Sequence, residues 1–420
     1  MKHKWFLMLF ALGLAPGFYQ LSHPAGLSLG PGNEMAMEAR NLVENGVIGN
    51  SFRSMNTGPT ATNPPLYPLF LALYIFLFQK PVMIVAAVLI TNIIVNALAA
   101  ALLPAISAAL WGTPAPGIAG GVLAIAASQL IPSWDANYTQ LGLIGFCLLT
   151  IHLVRARKYN AWHGTLAGVA LGILFLLSQV VLLVALPWMA YLFWGRHTRP
   201  PAMLRFILPL LLAALLVNLP WLLRNYGIWG EFVTRTNFGM TLYASNNDCA
   251  EPSVYQELAS GCYQATHPES SVAEARLLEN LGEPAYDRLK RAAAMTWIKS
   301  HPSRFLQLTL ARMIQFWFPV PNSPRYTAYV IWIITLLSLP GFYILLQRRA
   351  PAVVFLGTIL LIYPLPYYVV VSAVRYRVPV LWLSSLTAGY FLTAIAPRRW
   401  SAGVNAPPAG IAGSRVTNPY

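Results

Sequence analysis

The chain has 420 residues, of which 57% are apolar and only 10% charged. A soluble globular protein carries about 25% charged residues, so this composition excludes an ordinary water-soluble domain. The net charge of +15 does not point to nucleic acid either, because Lys and Arg gather in short patches between apolar runs, as topology-determining residues of membrane proteins do.

In chain order, Met1-Lys2-His3-Lys4 precedes an apolar run from Trp5 to Tyr19. The run reads as a cleaved signal peptide or as a first transmembrane helix, and the uncleaved helix is the expectation. Both readings place residues from about 22 onward outside. The candidate spans are 5–21, 66–78, 82–110, 116–132, 138–154, 163–178, 179–194, 203–221, 326–346, 351–371 and 378–395. Most approach the roughly 20 apolar residues that cross a hydrocarbon core. The runs are continuous rather than alternating, which predicts helices and not a barrel. The expected fold is an all-α polytopic membrane protein with about ten or eleven transmembrane helices and a small extracytoplasmic segment. Its parts are an N-terminal transmembrane module over 1–221, which includes a first outer loop at 22–65, then an extracytoplasmic segment and interfacial helix over 222–320. C-terminal transmembrane helices over 321–397 and a disordered cytoplasmic tail over 398–420 complete it.

Basic patches without acids lie at Lys2 and Lys4, at Arg155, Arg157 and Lys158, at Arg196, Arg199 and Arg205, at Arg348 and Arg349, and at Arg398 and Arg399. They mark the cytoplasmic side. The 13 acids avoid every one of these loops. Glu34, Glu38 and Glu44 fall in the first loop, Asp135 in a short loop, and the rest between Glu231 and Asp287. All carboxylates therefore belong to the opposite, outer face. For residues 22–63 and Asp135 both to be outside, an even number of passes must separate them. Segment 66–78 is short for a crossing, about 20 Å at 1.5 Å per residue. It is expected to be re-entrant or interfacial; the alternative is that 82–110 folds as a tight hairpin. Within 222–320, Ser271 to Ala294 reads as an amphipathic helix, and 301–320 as a helix on the membrane surface.

Five places carry candidate chemistry. Glu34 begins a helical run, where a carboxylate could act as general base or complement the helix dipole. Pro59-Thr60-Ala61-Thr62-Asn63-Pro64-Pro65-Leu66-Tyr67-Pro68 fixes an extended approach to the membrane, with Asn63 and Tyr67 as loop supports. Arg224, in Pro220-Trp221-Leu222-Leu223-Arg224-Asn225-Tyr226, sits at the outer end of a span, against the positive-inside trend. Arg375 and Arg377 flank Tyr376 on the same face, and guanidinium groups suit phosphate. Asp135 stands alone in its loop. His267 and His301 have no zinc spacing and read as structural. Cys249 and Cys262 share the polar segment and are a candidate disulfide, whereas Cys147 reads as packing.

In this order the features resemble the GT-C superfamily of membrane glycosyltransferases, most nearly its dolichyl-phosphate-mannose–protein mannosyltransferase-like and aminoarabinose-transferase-like branch. The resemblance rests on the acid-bearing first loop ending in Pro-Pro-Leu-Tyr-Pro and on Pro-Trp-x-x-Arg-Asn-Tyr followed by Gly230-Glu231-Phe232-Val233. It also rests on Tyr243-Ala244-Ser245-Asn246-Asn247, His301-Pro302 and Arg375-Tyr376-Arg377-Val378-Pro379. It implies an inverting transfer of a sugar from a polyprenyl-phosphate donor to a glycan, lipid or protein acceptor, on the outer face of a plasma membrane of bacterial inner-membrane type. It further implies Glu34 as general base with Glu38 and Asp135 as supporting acids, and Arg375, Arg377 and Arg224 on the donor phosphate. The family often has Asp-Glu where this chain has Asn33-Glu34, and some members carry an acidic or basic pair where this chain has Thr62-Asn63. A divalent metal is therefore left open. The rival readings are a polymerase or ligase of lipid-linked glycans, and a transporter or flippase. No Asp, Glu, Lys or Arg lies mid-span, which counts against the latter.

Overall fold

The structure is a computed structural model that describes residues 2–22, 34–128, 135–156, 160–185, 200–321, 325–348 and 352–396. Local chemistry sets where its helices start and stop. The third apolar run forms one 31-residue helix, α4 (Pro81–Trp111), which opens on proline after an extended Lys80 and ends at Gly112 with φ 77°. Proline at the first helical position and a left-handed glycine after the last are the favoured boundaries. Ahead of it come α1 (Lys2–Ser22), α2 (Glu34–Asn45) and α3 (Leu66–Leu77). After it come α5 (Ala115–Ser128), α6 (Asp135–Ala156) and α7 (Ala161–Leu177), the last capped by Asn160, which accepts a bond from the His163 N–H. Next is α8 (Pro200–Trp229), and then the polar segment folds as α9 (Phe238–Ser245), α10 (Val254–Ser260), α11 (Cys262–Thr266), α12 (Val272–Leu281), α13 (Glu283–Ser300) and α14 (Pro302–Trp317). The chain finishes with α15 (Arg325–Gln347), α16 (Ala352–Ile362), α17 (Leu365–Val369), a 3-10 turn at Val374–Arg377 and α18 (Val378–Ile395). Among the described residues the only β pairing is two isolated bridges, Gly49 with Pro59 and Ser253 with Ser372.

Close helix contacts at small residues give the directions of the bundle. Gly117 lies against Leu103 and Pro104, and Gly121 against Ala100, so α4 and α5 run antiparallel. Gly120 meets Ser385 while Gly389 meets Pro116, so α5 and α18 are antiparallel as well. Gly13 against Ala97 and Gly17 against Ile93 set α1 antiparallel to α4. Gly164 on Phe206 and Gly168 on Leu210 set α7 and α8 parallel. Gly341 on Thr387, with the Arg348 guanidinium donating to the Tyr390 hydroxyl at 2.9 Å, sets α15 parallel to α18. Small residues at such crossings let backbones approach where apolar surroundings give no hydrophobic drive to association.

These directions sort the helix ends into two poles. Glu34, Asp135, Leu177, Trp229 and Val378 belong to one; Lys2, Trp111, Ala156, Pro200, Gln347 and Ile395 belong to the other. The acids and the described basic patches thus sit at opposite poles. Among the described residues four helices are long and apolar enough to cross a membrane, Pro81–Trp111, Met203–Trp229, Thr327–Gln347 and Val374–Ile395, and several shorter ones are apolar. Leu204, Leu208, Leu211 and Leu215 form an exposed stripe along α8, a surface suited to an apolar solvent.

One alternative falls and two expectations are revised. Because α4 is unbroken, 82–110 is not a hairpin. Instead α3, of 12 residues, leaves the acidic pole and turns at 78–80 into α4, which starts there too. The span expected at 351–371 is broken between α16 and α17 at Tyr363-Pro364, where Pro364 and Pro366 withhold donors a continuous helix needs. The helix expected over Ser271–Ala294 is two, divided at Gly282 with φ 75°. Residues 23–33, 129–134 and 186–199, and the tail beyond 396, lie outside the described residues. So do Arg157, Lys158, Arg196, Arg199, Arg349, Arg398 and Arg399.

A Cβ at Gly168 would stand 2.2 Å from the Leu210 carbonyl oxygen, whereas one at Gly145 would meet nothing within 4 Å. Gly168→Leu is expected to cost about 1–3 kcal/mol or more by prising α7 from α8. It should lower the melting temperature of the detergent-purified protein, while Gly145→Ala leaves it near that of the wild type.

Candidate functional site

The acidic pole holds a cavity of about 460 Å³. Of the residues singled out from sequence, Glu34, Asn63, Asp135, Arg375 and Tyr376 border it. They come from four separate places in the chain. Glu34 is the first residue of α2, Asp135 the first of α6, and Arg375 and Tyr376 belong to the 3-10 turn ahead of α18. Asn63 lies within the proline-rich loop, just ahead of Pro64 and Pro65.

Glu34 and Glu38 lie one turn apart on α2, and Asn63 joins them. Its amide donates to Glu38 Oε1 at 2.8 Å and to Glu34 Oε2 at 3.5 Å. Ser51 Oγ also donates to Glu38 Oε1, at 2.8 Å. Glu38 is fully buried and its Oε2 has no hydrogen-bond partner. Burial pushes its carboxyl up to about 8 against the Asn63 and Ser51 bonds, so it holds a proton at neutral pH. Burial raises Glu34 too, opposed by Arg375, Asn63 and Arg235. Arg375 and Arg235 act on Asp135 as well as on Glu34. Two carboxylates and two guanidiniums therefore share one chamber. Aromatic rings form another of its walls: Tyr367 stacks on Tyr376 at 4.5 Å and tilts against Tyr363 at 5.5 Å.

Two of the three arginines expected at a donor phosphate are placed elsewhere, which corrects that expectation. Arg224 donates to the carbonyls of Ile48 and Thr60, both at 2.6 Å, and to Asn225 Oδ1 at 2.8 Å, with its guanidinium over Trp221. It pins the first loop and does not border the cavity. Arg377 is buried, lies 4.0 Å from the Trp317 ring centroid and donates to Ser384 Oγ at 2.6 Å. Two residues along a 3-10 turn rotate a side chain by about 240°, so Arg375 and Arg377 cannot both face inward. Tyr67 also stands back from the cavity, packed with Met35, Ala39 and Leu71, where it supports α2 from α3.

Arg235 was not anticipated. It borders the cavity and its Nε donates to the Thr62 carbonyl at 2.8 Å. Nothing in sequence set it apart from the other cations of the polar segment. His267, expected to be structural, borders the cavity, stacked on Tyr263 at 4.5 Å. Burial pushes its imidazole down to about 4, and its Nδ1 accepts the Glu269 N–H at 3.2 Å, so the ring is neutral with Nε2 protonated. Tyr363 and Tyr367 were hidden inside an expected span; the flanking Pro364 and Pro366 were the signal that it breaks there.

The polar segment closes over the site through buried polar contacts. Glu283 accepts from the Thr60 hydroxyl, the Ala61 N–H at 2.7 Å, the Thr62 hydroxyl at 3.1 Å and the Thr236 hydroxyl. Glu269, in an ion pair with Arg53, accepts the Arg53 N–H at 3.0 Å. Cys249 and Cys262 are joined in a disulfide, with Cα atoms 5.5 Å apart, and Tyr263 follows directly. Among the described residues, no three His, Cys, Asp or Glu side chains converge as a metal-binding group. Comparison with family models, curated proteins and solved structures finds no match to this chain.

A carboxyl whose pKa rises on folding holds a proton that the unfolded chain releases, so its contribution to stability falls as pH climbs from about 4.5 to about 8. Glu38→Gln removes that dependence. Its melting temperature in detergent should exceed the wild-type value at pH 8, with the gap closing toward pH 4.5. A gap constant with pH would contradict a protonated Glu38.

Proposed function

We propose that the chain is a multi-pass membrane protein of the GT-C kind that acts as an inverting glycosyltransferase. It would move a sugar from a polyprenyl-phosphate donor to a glycan, lipid or protein acceptor on the outer face of a plasma membrane of bacterial inner-membrane type. The observation that carries the reading is the meeting of Glu34 and Asp135 with Arg235 and Arg375 in one cavity at the acidic pole. The transfer needs a base and an anion-stabilising group within reach of one reacting centre, and that chamber holds both.

Glu34 is the base. Burial makes its carboxylate more basic, and general base catalysis contributes about 10²–10⁴-fold. It takes the proton of the acceptor hydroxyl as that oxygen attacks the anomeric carbon. The bond to the phosphate oxygen breaks on the opposite face, which inverts the configuration. The polyprenyl phosphate leaves as an anion, so no general acid is needed. Arg375 and Arg235 stabilise the leaving charge, in place of the Arg377 and Arg224 roles implied by sequence. Asp135 keeps the two guanidiniums from closing on Glu34. The tyrosine wall of Tyr363, Tyr367 and Tyr376 offers ring faces to a sugar.

The test uses purified protein in detergent with radiolabelled polyprenyl-phosphate sugars. Wild type should transfer or release sugar without a sealed membrane, which a pure transporter or flippase cannot do. Glu34→Gln should lower the rate by about 10²-fold or more with expression intact; full activity in that variant would sink the assignment. Arg375→Ala should lose transfer in the same assay and bind polyprenyl phosphate more weakly. Arg377→Ala should chiefly lower the melting temperature.

A further inference from the structure

His267 carries a hydrogen-bond donor that the mechanism leaves unused. It follows α11 directly, and the chain on both sides of it is pinned. Its own N–H donates to the Tyr263 carbonyl at 3.0 Å, and its carbonyl accepts the Ser271 N–H at 2.9 Å. Next in sequence, the Pro268 carbonyl accepts from the Ser54 hydroxyl, and Glu269 is in an ion pair with Arg53. The imidazole stacks on the Tyr263 ring at 4.5 Å and meets the Phe52 ring edge-on at 5.9 Å. These contacts fix the plane of the ring.

The bond at Nδ1 decides the tautomer. A backbone N–H can only donate, so an Nδ1 that accepts from Glu269 at 3.2 Å carries no proton. The proton is on Nε2. Among the described residues no group bonds Nε2, yet the atom is not sealed in protein, and the ring borders the cavity. In a residue only 8% exposed, this is a fixed N–H that opens on the cavity and lacks an acceptor. Nearby acids do not supply one. Glu269 is paired with Arg53 and Glu274 with Lys290, and Glu257, on α10 at the cavity border, answers to Arg312.

The neighbours of His267 select the ligand atom. Arg375 acts on both His267 and Tyr263, and Glu34 acts on Tyr263. The N–H therefore belongs to the corner of the cavity that holds the base and a guanidinium. Hydrogen bonds to an ionised oxygen are roughly twice as strong as those to a neutral one, so an anion outcompetes a sugar hydroxyl for this pair of donors. A neutral imidazole adds a donor there without setting a second positive charge beside Arg375.

We infer that His267, through Nε2–H, is a further ligand of the phosphate of the sugar-donating lipid, beside Arg375 and Arg235. The inference rests on the transferase reading above and adds a residue to its anion site.

The experiment measures farnesyl phosphate binding to the full chain in detergent by titration calorimetry at pH 8, where the phosphate is a dianion. His267→Phe keeps a ring on Tyr263 and removes the N–H; it should bind about tenfold more weakly than wild type. His267→Gln offers an uncharged amide N–H and should stay within about threefold of wild type. Equal affinity of wild type and His267→Phe overturns the assignment. So does a loss of methyl β-glucoside binding in His267→Phe with farnesyl phosphate binding intact, because it gives the N–H to a sugar hydroxyl. Histidine labelled with nitrogen-15 lets wild type answer without a folded Phe variant. The imidazole N–H signal absent from His267→Gln should move downfield on adding farnesyl phosphate, and a signal that stays in place overturns the inference. Farnesyl phosphate held by His267 in a protein that neither transfers nor releases sugar would overturn the transferase reading and leave the anion site standing. Transfer with farnesyl phosphate binding indifferent to His267 would do the reverse.

Discussion

The site depends on one buried carboxylate that does not touch it. Glu283 gathers donors from Thr60, Ala61, Thr62 and Thr236, and so joins two stretches of chain more than 170 residues apart. Asn63 follows Thr62, and Arg235 precedes Thr236 while donating to the Thr62 carbonyl. The residue that orients Glu34 and a cation that faces it are thus both fixed by Glu283. A carboxylate stripped of water is stable only when its oxygens are met by such donors. Arg224 completes the arrangement from α8 by holding the carbonyls of Ile48 and Thr60.

The acids of this pole fall into two physical kinds. Glu283 and Glu269 are met by donors and act as fasteners, and in Glu283 those donors oppose the rise that burial causes. Glu38 and Glu257 keep oxygens without partners and are pushed up to about 8 by burial. Near neutral pH they are neutral hydrogen-bonding groups, whereas Glu34 and Asp135 are the acids on which Arg235 and Arg375 act against burial. A count of formal charges in sequence cannot make this distinction, because it is set by which neighbours supply hydrogen bonds.

Much of the architecture was legible because charge and apolarity are properties of whole segments. Clean separation of acids from basic patches anticipated two poles, and the length of 66–78 anticipated a segment that returns to the pole it left. Side-chain direction was not legible. Arg375 and Arg377 are equivalent as a pattern, yet the 3-10 turn sends one into the cavity and the other onto Trp317. Arg224 broke the same charge trend for a structural reason, since loop carbonyls consume its donors. Arg235, Tyr263 and Glu257 sat among other polar residues of 222–320, and only the packing of α9 to α12 against the first loop selects them. Prolines at 364 and 366 were readable as breakers but were outweighed by the apolar run around them.

The turn from α3 into α4 has a consequence for symmetry of the chain's ends. Since α3 starts and finishes at the acidic pole, it adds no traverse. Because α1 begins and α18 finishes at the basic pole, the full-length traverses between them must be even in number. Within the membrane reading, markers fused ahead of α1 and behind α18 would share a compartment, and the whole cavity at the acidic pole would lie one bilayer thickness from both.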